Sequence, residues 1–119
     1  MSNDRFFLDT AYIVALLNSR DVFHRKAEEL FSRVESAKEV WITEAVLTEV
    51  GNSLSRKDRS VAVTFINSCY LTVNLNVVSV DRVLFHRAVE NYWSHKDKDW
   101  GLTDCISFVV MNNENLRDV

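Results

Sequence analysis

Proline is absent from this chain of 119 residues, and glycine occurs only at Gly51 and Gly101. With so little glycine there is no material for a backbone loop that cradles phosphate. P-loop and dinucleotide-binding fingerprints are therefore excluded, and turns must come from Asn, Asp and Ser. Cysteine is equally scarce: Cys69 and Cys105 show no CxxC or Cys/His spacing. Reduced thiols in a cytosolic protein are expected, and a zinc site is not. No apolar run approaches transmembrane length. The N-terminus lacks a basic segment followed by an apolar one, so no signal peptide, no membrane contact and a cytoplasmic location are expected. Positive charge is not in excess either. A net charge of −3 excludes a wholesale basic coat for nucleic acid but leaves room for local patches.

What is present suits one domain over residues 1–119, with hydrophobic residues at 47%, enough for a real core. The chain is organised around Phe6-Phe7-Leu8-Asp9-Thr10. The run is short and apolar throughout, so it reads as a strand covered on both faces, as in a parallel sheet. Asp9 then stands at the carboxyl end of that strand, the edge where open α/β sheets bind ligands.

Helices and strands alternate from there. Ala11–Leu17 reads as a buried helix capped by Asp9 or Thr10. Asp21 can cap a second helix, with Ala27, Leu30, Phe31 and Val34 on one face. Val40-Trp41-Ile42 is a strand, and Thr43 caps a helix from Glu44 to about Arg56, with Glu49 beside its apolar stripe. A helix over 60–71 buries Val61, Phe65, Ile66 and Cys69. Residues 75–80 form a third strand. Asp81 starts a helix to Ser94 with Leu84, Phe85, Ala88, Val89 and Tyr92 inward. A polar loop leads to a deeply buried helix, Leu102–Met111, which Asn112, Asn113 and Asn115 break. Leu116–Val119 looks like the beginning of another strand. Strands separated by helices imply βαβ units and a parallel sheet.

Three acids stand out by context: Asp9, Glu49 and Asp104. Taken singly, each has an ordinary role. Asp9 would be an N-cap, Glu49 a surface glutamate, and Asp104 a partner for its helix dipole. Taken together, in a parallel sheet, they gather at one edge. Carboxylates converging without cations repel, and a divalent ion removes that cost. Mg²⁺ and Mn²⁺ prefer such hard oxygen donors and can activate water for displacement at phosphorus.

The segments Phe7-Leu8-Asp9-Thr10, Ile42-Thr43-Glu44 on to Glu49, and Trp100-Gly101-Leu102-Thr103-Asp104-Cys105 follow in order across the chain. They resemble the PIN-domain family, above all the VapC-type toxin ribonucleases of toxin–antitoxin modules. The resemblance implies an α/β fold of three α/β/α layers around a parallel sheet. It also implies a Mg²⁺- or Mn²⁺-dependent endoribonuclease that prefers single strands. Asp9, Glu49 and Asp104 match the acidic metal-binding positions, Thr10 and Thr103 match supporting ones, and Asn52 is a weaker match. Asp99 is expected to hold the loop before the last helix. The implied partners are RNA, a small antitoxin protein in a groove near the first helices, and a second copy of the chain. Family members usually continue through one more strand, which carries or precedes a further acid, and then a closing segment. Here the fold is expected to stop short of that strand, at Val119. Asp118 is not expected to supply the fourth carboxylate, because it would precede the strand. The alternative function is therefore a catalytically incomplete binding module of the same fold, acting in dimerisation or partner binding. A phospho-acceptor receiver domain is set aside, since its acidic pair and last-strand lysine are missing.

For RNA, Arg20, Arg56, Lys57 and Trp100 are the candidate contacts, with Arg25, Lys26, Arg59, Lys96 and Lys98 adding local positive charge. Trp41 is expected in the core, and His24, His86 and His95 at the surface or on helices.

Overall fold

The computed structural model describes residues 2–119. Four parallel strands form one sheet: β1 (Arg5–Phe7), β2 (Glu39–Thr43), β3 (Leu75–Val78) and β4 (Arg117–Asp118). Their order is β3-β2-β1-β4. Six helices connect them: α1 (Thr10–Leu17), α2 (His24–Glu35), α3 (Glu44–Leu54), α4 (Arg59–Leu71), α5 (Arg82–Ser94) and α6 (Leu102–Glu114). This is the expected layered α/β architecture. α1 packs on α2 and α3, α3 packs on α4, and α5 and α6 pack together and reach β2 and α3 through α6.

The strands are apolar because helices cover them. Phe6, Phe7, Val40 and Ile42 are all buried, and with Leu8, Ile13, Val46, Val50, Leu54 and Val110 they form the main core. A smaller cluster of Ala88, Cys105 and Ile106 joins α5 to α6. Both thiols are free and buried, and burial pushes the Cys69 thiol up to about 11.

Local signals set most helix starts. Asp9, Thr43, Asp58 and Asp81 each accept a hydrogen bond from the backbone N–H three residues on, satisfying a donor that the helix itself leaves open. Asp21 differs from expectation. Its carboxylate accepts from the Phe23 N–H at 2.8 Å, so it folds the turn before α2, and Phe23 takes the cap position. At the other end of the chain, Asn112 and Asn113 do not break α6. The helix runs on to Glu114 and stops where Asn115 turns left-handed, at φ 55°, a conformation Asn tolerates better than most residues. α5 is less buried than its periodicity implies: Ala88 is sealed, but Phe85, Val89 and Tyr92 remain exposed.

The largest departure is at the last strand. Arg117 and Asp118 already form β4, pairing in parallel with β1 as Phe6↔Arg117 and Phe7↔Asp118. Asp118 therefore lies in the first residues of that strand, not before it. The chain passes from β1 to β2 to β3 on one side and returns to β4 on the other side of β1. The boundary between β1 and β4 is thus the point where the winding direction reverses, where α/β sheets open a crevice at their carboxyl ends.

Candidate metal centre at the strand ends

Asp9 and Asp118 flank that crevice. Asp9 follows β1 and caps α1, with Oδ1 accepting from the Tyr12 N–H at 2.9 Å. This places a carboxylate at the mouth of the sheet and commits only one of its oxygens. Thr10, the first residue of α1, donates its hydroxyl to Glu49 Oε1 at 2.7 Å. That bond ties the middle of α3 to the start of α1 and holds a half-buried glutamate beside Asp9.

Asp104 comes from α6. It is the third residue of the helix, and its Oδ2 accepts from the Gly101 N–H at 2.9 Å. Thr103, half-buried, precedes it on the same turn.

The carboxyl of Asp118 is pushed up to about 6. Burial contributes first, then the charge of Asp9 and a hydrogen bond with it, then the charge of Asp104. The residue keeps an exposed face, and solvent there tempers the effect. Asp118 thus lies within hydrogen-bonding reach of Asp9, and the charge of Asp104 is felt there more weakly. None of these three acids, nor Glu49, is ion-paired with a lysine, arginine or histidine among the described residues.

These acids offer only hard oxygen donors and have no cation of their own, which suits Mg²⁺ or Mn²⁺ and not a soft or nitrogen-seeking metal. Among the described residues, no three acidic, histidine or cysteine side chains are drawn tightly enough to grip an ion as they stand. The hydrogen bonds to Tyr12, Thr10 and Gly101 explain part of that spacing, since each holds a carboxylate to its own element.

The remaining candidates fall into place around this centre. Asn52 is exposed on α3. Asp99 is exposed in the loop before α6, and its carboxylate takes no hydrogen bond among the described residues. Arg20, Arg56 and Lys57 are exposed in the turns after α1 and α3. Trp100 is half-buried, its ring packed between His95 at 5.0 Å and Phe108 at 4.8 Å between centroids, which leaves little of it free to stack on a base. The exposed tryptophan is Trp93. Asp118 is the acid that sequence reading passed over. The strand start at Leu116–Val119 was legible, but not the register that sets Asp118 beside Phe7.

The sequence matches the PIN domain family over residues 6–117. Comparison with curated proteins by sequence gives no match. Among solved structures, the chain is similar to Mycobacterium tuberculosis VapC20, a sarcin–ricin loop cleaving toxin, at 25% identity and a TM-score of 0.82. That alignment covers 93% of this chain and 84% of the other. A toxin–antitoxin complex from Klebsiella pneumoniae shares the fold at 16% identity and a TM-score of 0.66, over 93% of this chain and 81% of the other.

Proposed function

The chain belongs to the PIN domain family, and on that footing we propose that it is a metal-dependent endoribonuclease, the toxin of a VapBC-type toxin–antitoxin pair. The observation that carries this is the meeting of Asp9 and Asp118 at the β1/β4 crevice, neither paired with a lysine, arginine or histidine among the described residues. The likeness to VapC20, itself a toxin that cleaves the sarcin–ricin loop, supports the same reading.

Asp9, Asp104 and Asp118 would hold Mg²⁺ or Mn²⁺, with Glu49 completing the oxygen set. Bound there, the ion supplies an activated water and neutralises charge building on the phosphoryl oxygens. The protein's own part is placement. Thr10 fixes Glu49 through its hydroxyl, and the Gly101 N–H fixes Asp104. The N-termini of α1 and α6 both open at this edge, where their free N–H groups and dipoles favour a phosphodiester. A thiol nucleophile is not part of the chemistry. Both cysteines are buried, and the Cys105 thiol is raised by burial and by the charge of Asp104.

The antitoxin seats its apolar segment in the groove between α1, α2 and α4, about 340 Å³ in volume and lined by Leu16, Leu17, Phe31 and Phe65 among others. A second copy of the chain is the other partner, and RNA in the cytoplasm is the substrate. No helix among the described residues is long and apolar enough to cross a membrane. The second reading is a binding module of the same fold with an incomplete metal site, acting in dimerisation or partner binding; the spacing of the acids, no three of which are close enough to grip an ion among the described residues, favours it. The test is cleavage of single-stranded RNA by the purified chain in Mg²⁺ or Mn²⁺, beside EDTA and an Asp9→Asn control. Cleavage that needs the metal and disappears in the variant supports the proposal. Equal cleavage by the variant overturns it.

A further inference from the structure

Trp93 is 70% exposed at the end of α5. The fold makes little use of it: Ala88 and its neighbours supply the packing of α5 on α6. Lys96 lies over the ring, its Nζ 4.5 Å from the centroid. Beside them is a cleft of about 480 Å³, lined by Tyr92, Trp93, Lys96, Lys98, Asp99 and Gly101 among others. That volume falls within the range, roughly 300–1,000 Å³, in which small ligands are held. Two lysines face one acid, Asp99, and neither lysine is ion-paired among the described residues. The wall is firm, because Trp100 is wedged between His95 and Phe108.

The position matters as much as the composition. Gly101 lines this cleft, and the same Gly101 donates its N–H to Asp104. The cleft therefore adjoins the Asp104 end of the carboxylate centre through Gly101. Exposed aromatic rings interleaved with positive charge are what an unpaired nucleic-acid strand requires: a face for a base and partners for its phosphates. We propose that this cleft, formed by the end of α5 and the loop leading to α6, is a single-stranded RNA subsite, in which Trp93 stacks a base and Lys96 and Lys98 meet phosphates next to the carboxylate centre. The inference rests on the nuclease reading and adds to it where the strand outside the scissile bond is gripped.

Two readouts separate the subsite from the chemistry. The first is affinity for a short, fluorescein-labelled single-stranded RNA in EDTA, where no cleavage is involved. Trp93→Ala should weaken it about tenfold, the scale of one lost stacking contact, and Trp93→Phe should recover most of that. Lys98→Gln should lower the slope of log affinity against log salt by about one. The second is turnover in Mg²⁺, where Trp93→Ala should raise KM by a similar factor and leave kcat unchanged. RNA binding that depends on Trp93 in a chain that cuts nothing would leave the subsite standing and sink the nuclease. Cleavage with KM and affinity indifferent to Trp93→Ala would do the reverse. A change of molecular mass in Trp93→Ala with RNA affinity unchanged would make the cleft a contact between copies of the chain and overturn the proposal.

Discussion

Replacing Asp118 by Asn should make the metal-free protein more stable and the metal-loaded protein worse. Asn keeps the shape of the side chain and removes its charge. The carboxyl of Asp118 rises from 3.8 to about 6 in the fold, roughly two pKa units. At 1.36 kcal/mol per unit, that would set the cost of ionising it in place near 3 kcal/mol if nothing screened it. Asp118 is exposed, and solvent screening reduces the effect to about 1 kcal/mol. The sign follows from which state holds the proton. A carboxyl raised in the fold is protonated in both states below about pH 3.8 and ionised in both above about 6. Its cost therefore appears as pH climbs between those values and persists above them. In EDTA at pH 7.5, Asp118→Asn should melt a few degrees above the parent chain, since about 1 kcal/mol moves Tm by ~4–8 °C in a domain near this size. Below pH 4 the difference should close. In saturating Mn²⁺ the order should reverse, because the parent gains the binding free energy and the variant loses part of it. Scanning calorimetry across this grid is the assay. A variant less stable than the parent in EDTA at neutral pH, or a difference that ignores pH, would refute the argument that these carboxylates repel one another.

Further outcomes can be checked on the same material. Asp9→Asn should fold normally, since Asn caps a helix as well as Asp, yet lose cleavage by about a hundredfold or more in a gel assay with labelled RNA. Thr10→Val removes the 2.7 Å bond to Glu49 and should weaken Mn²⁺ binding by roughly 10–100-fold, read by titration calorimetry. Phe7, fully buried beneath the site, should cost about 3–5 kcal/mol when cut to Ala, measured by urea unfolding. Asn115→Val forces a β-branched residue to φ 55° and should cost about 1–2 kcal/mol in the same experiment.

The parts of the fold legible in the sequence were those fixed locally. Short apolar runs ending in Asp9 and Thr43 marked strands that pass into helices, because the strand needs burial and the helix needs a cap within a few residues. The parallel sheet followed from their alternation. What could not be read depended on distant partners. Phe85, Val89 and Tyr92 continue an apolar stripe on α5, but α6 is the main element packed against that helix, and periodicity does not reveal how wide a neighbour is. Asn112 and Asn113 looked like a helix end, yet the burial of Val110 and the packing of Met111 against the core sit beside them, and the helix runs on. Asp118 is the clearest case. Its role depends on the register Phe7↔Asp118, a pairing between positions more than a hundred residues apart. The two-residue β4 is too short to show periodicity. The same limit hid the ranking of the tryptophans: Trp100 stands closer to Asp104 in sequence, but its neighbours enclose it and Trp93 is the one left open.

The most direct test of the carboxylate centre is Mn²⁺ binding followed by electron paramagnetic resonance, on the parent chain and on Asp9→Asn, Asp104→Asn and Asp118→Asn. The account predicts saturable binding in the parent that weakens sharply in each of the three variants. Binding by the parent that none of these changes disturbs, or no saturable binding at all, would contradict it.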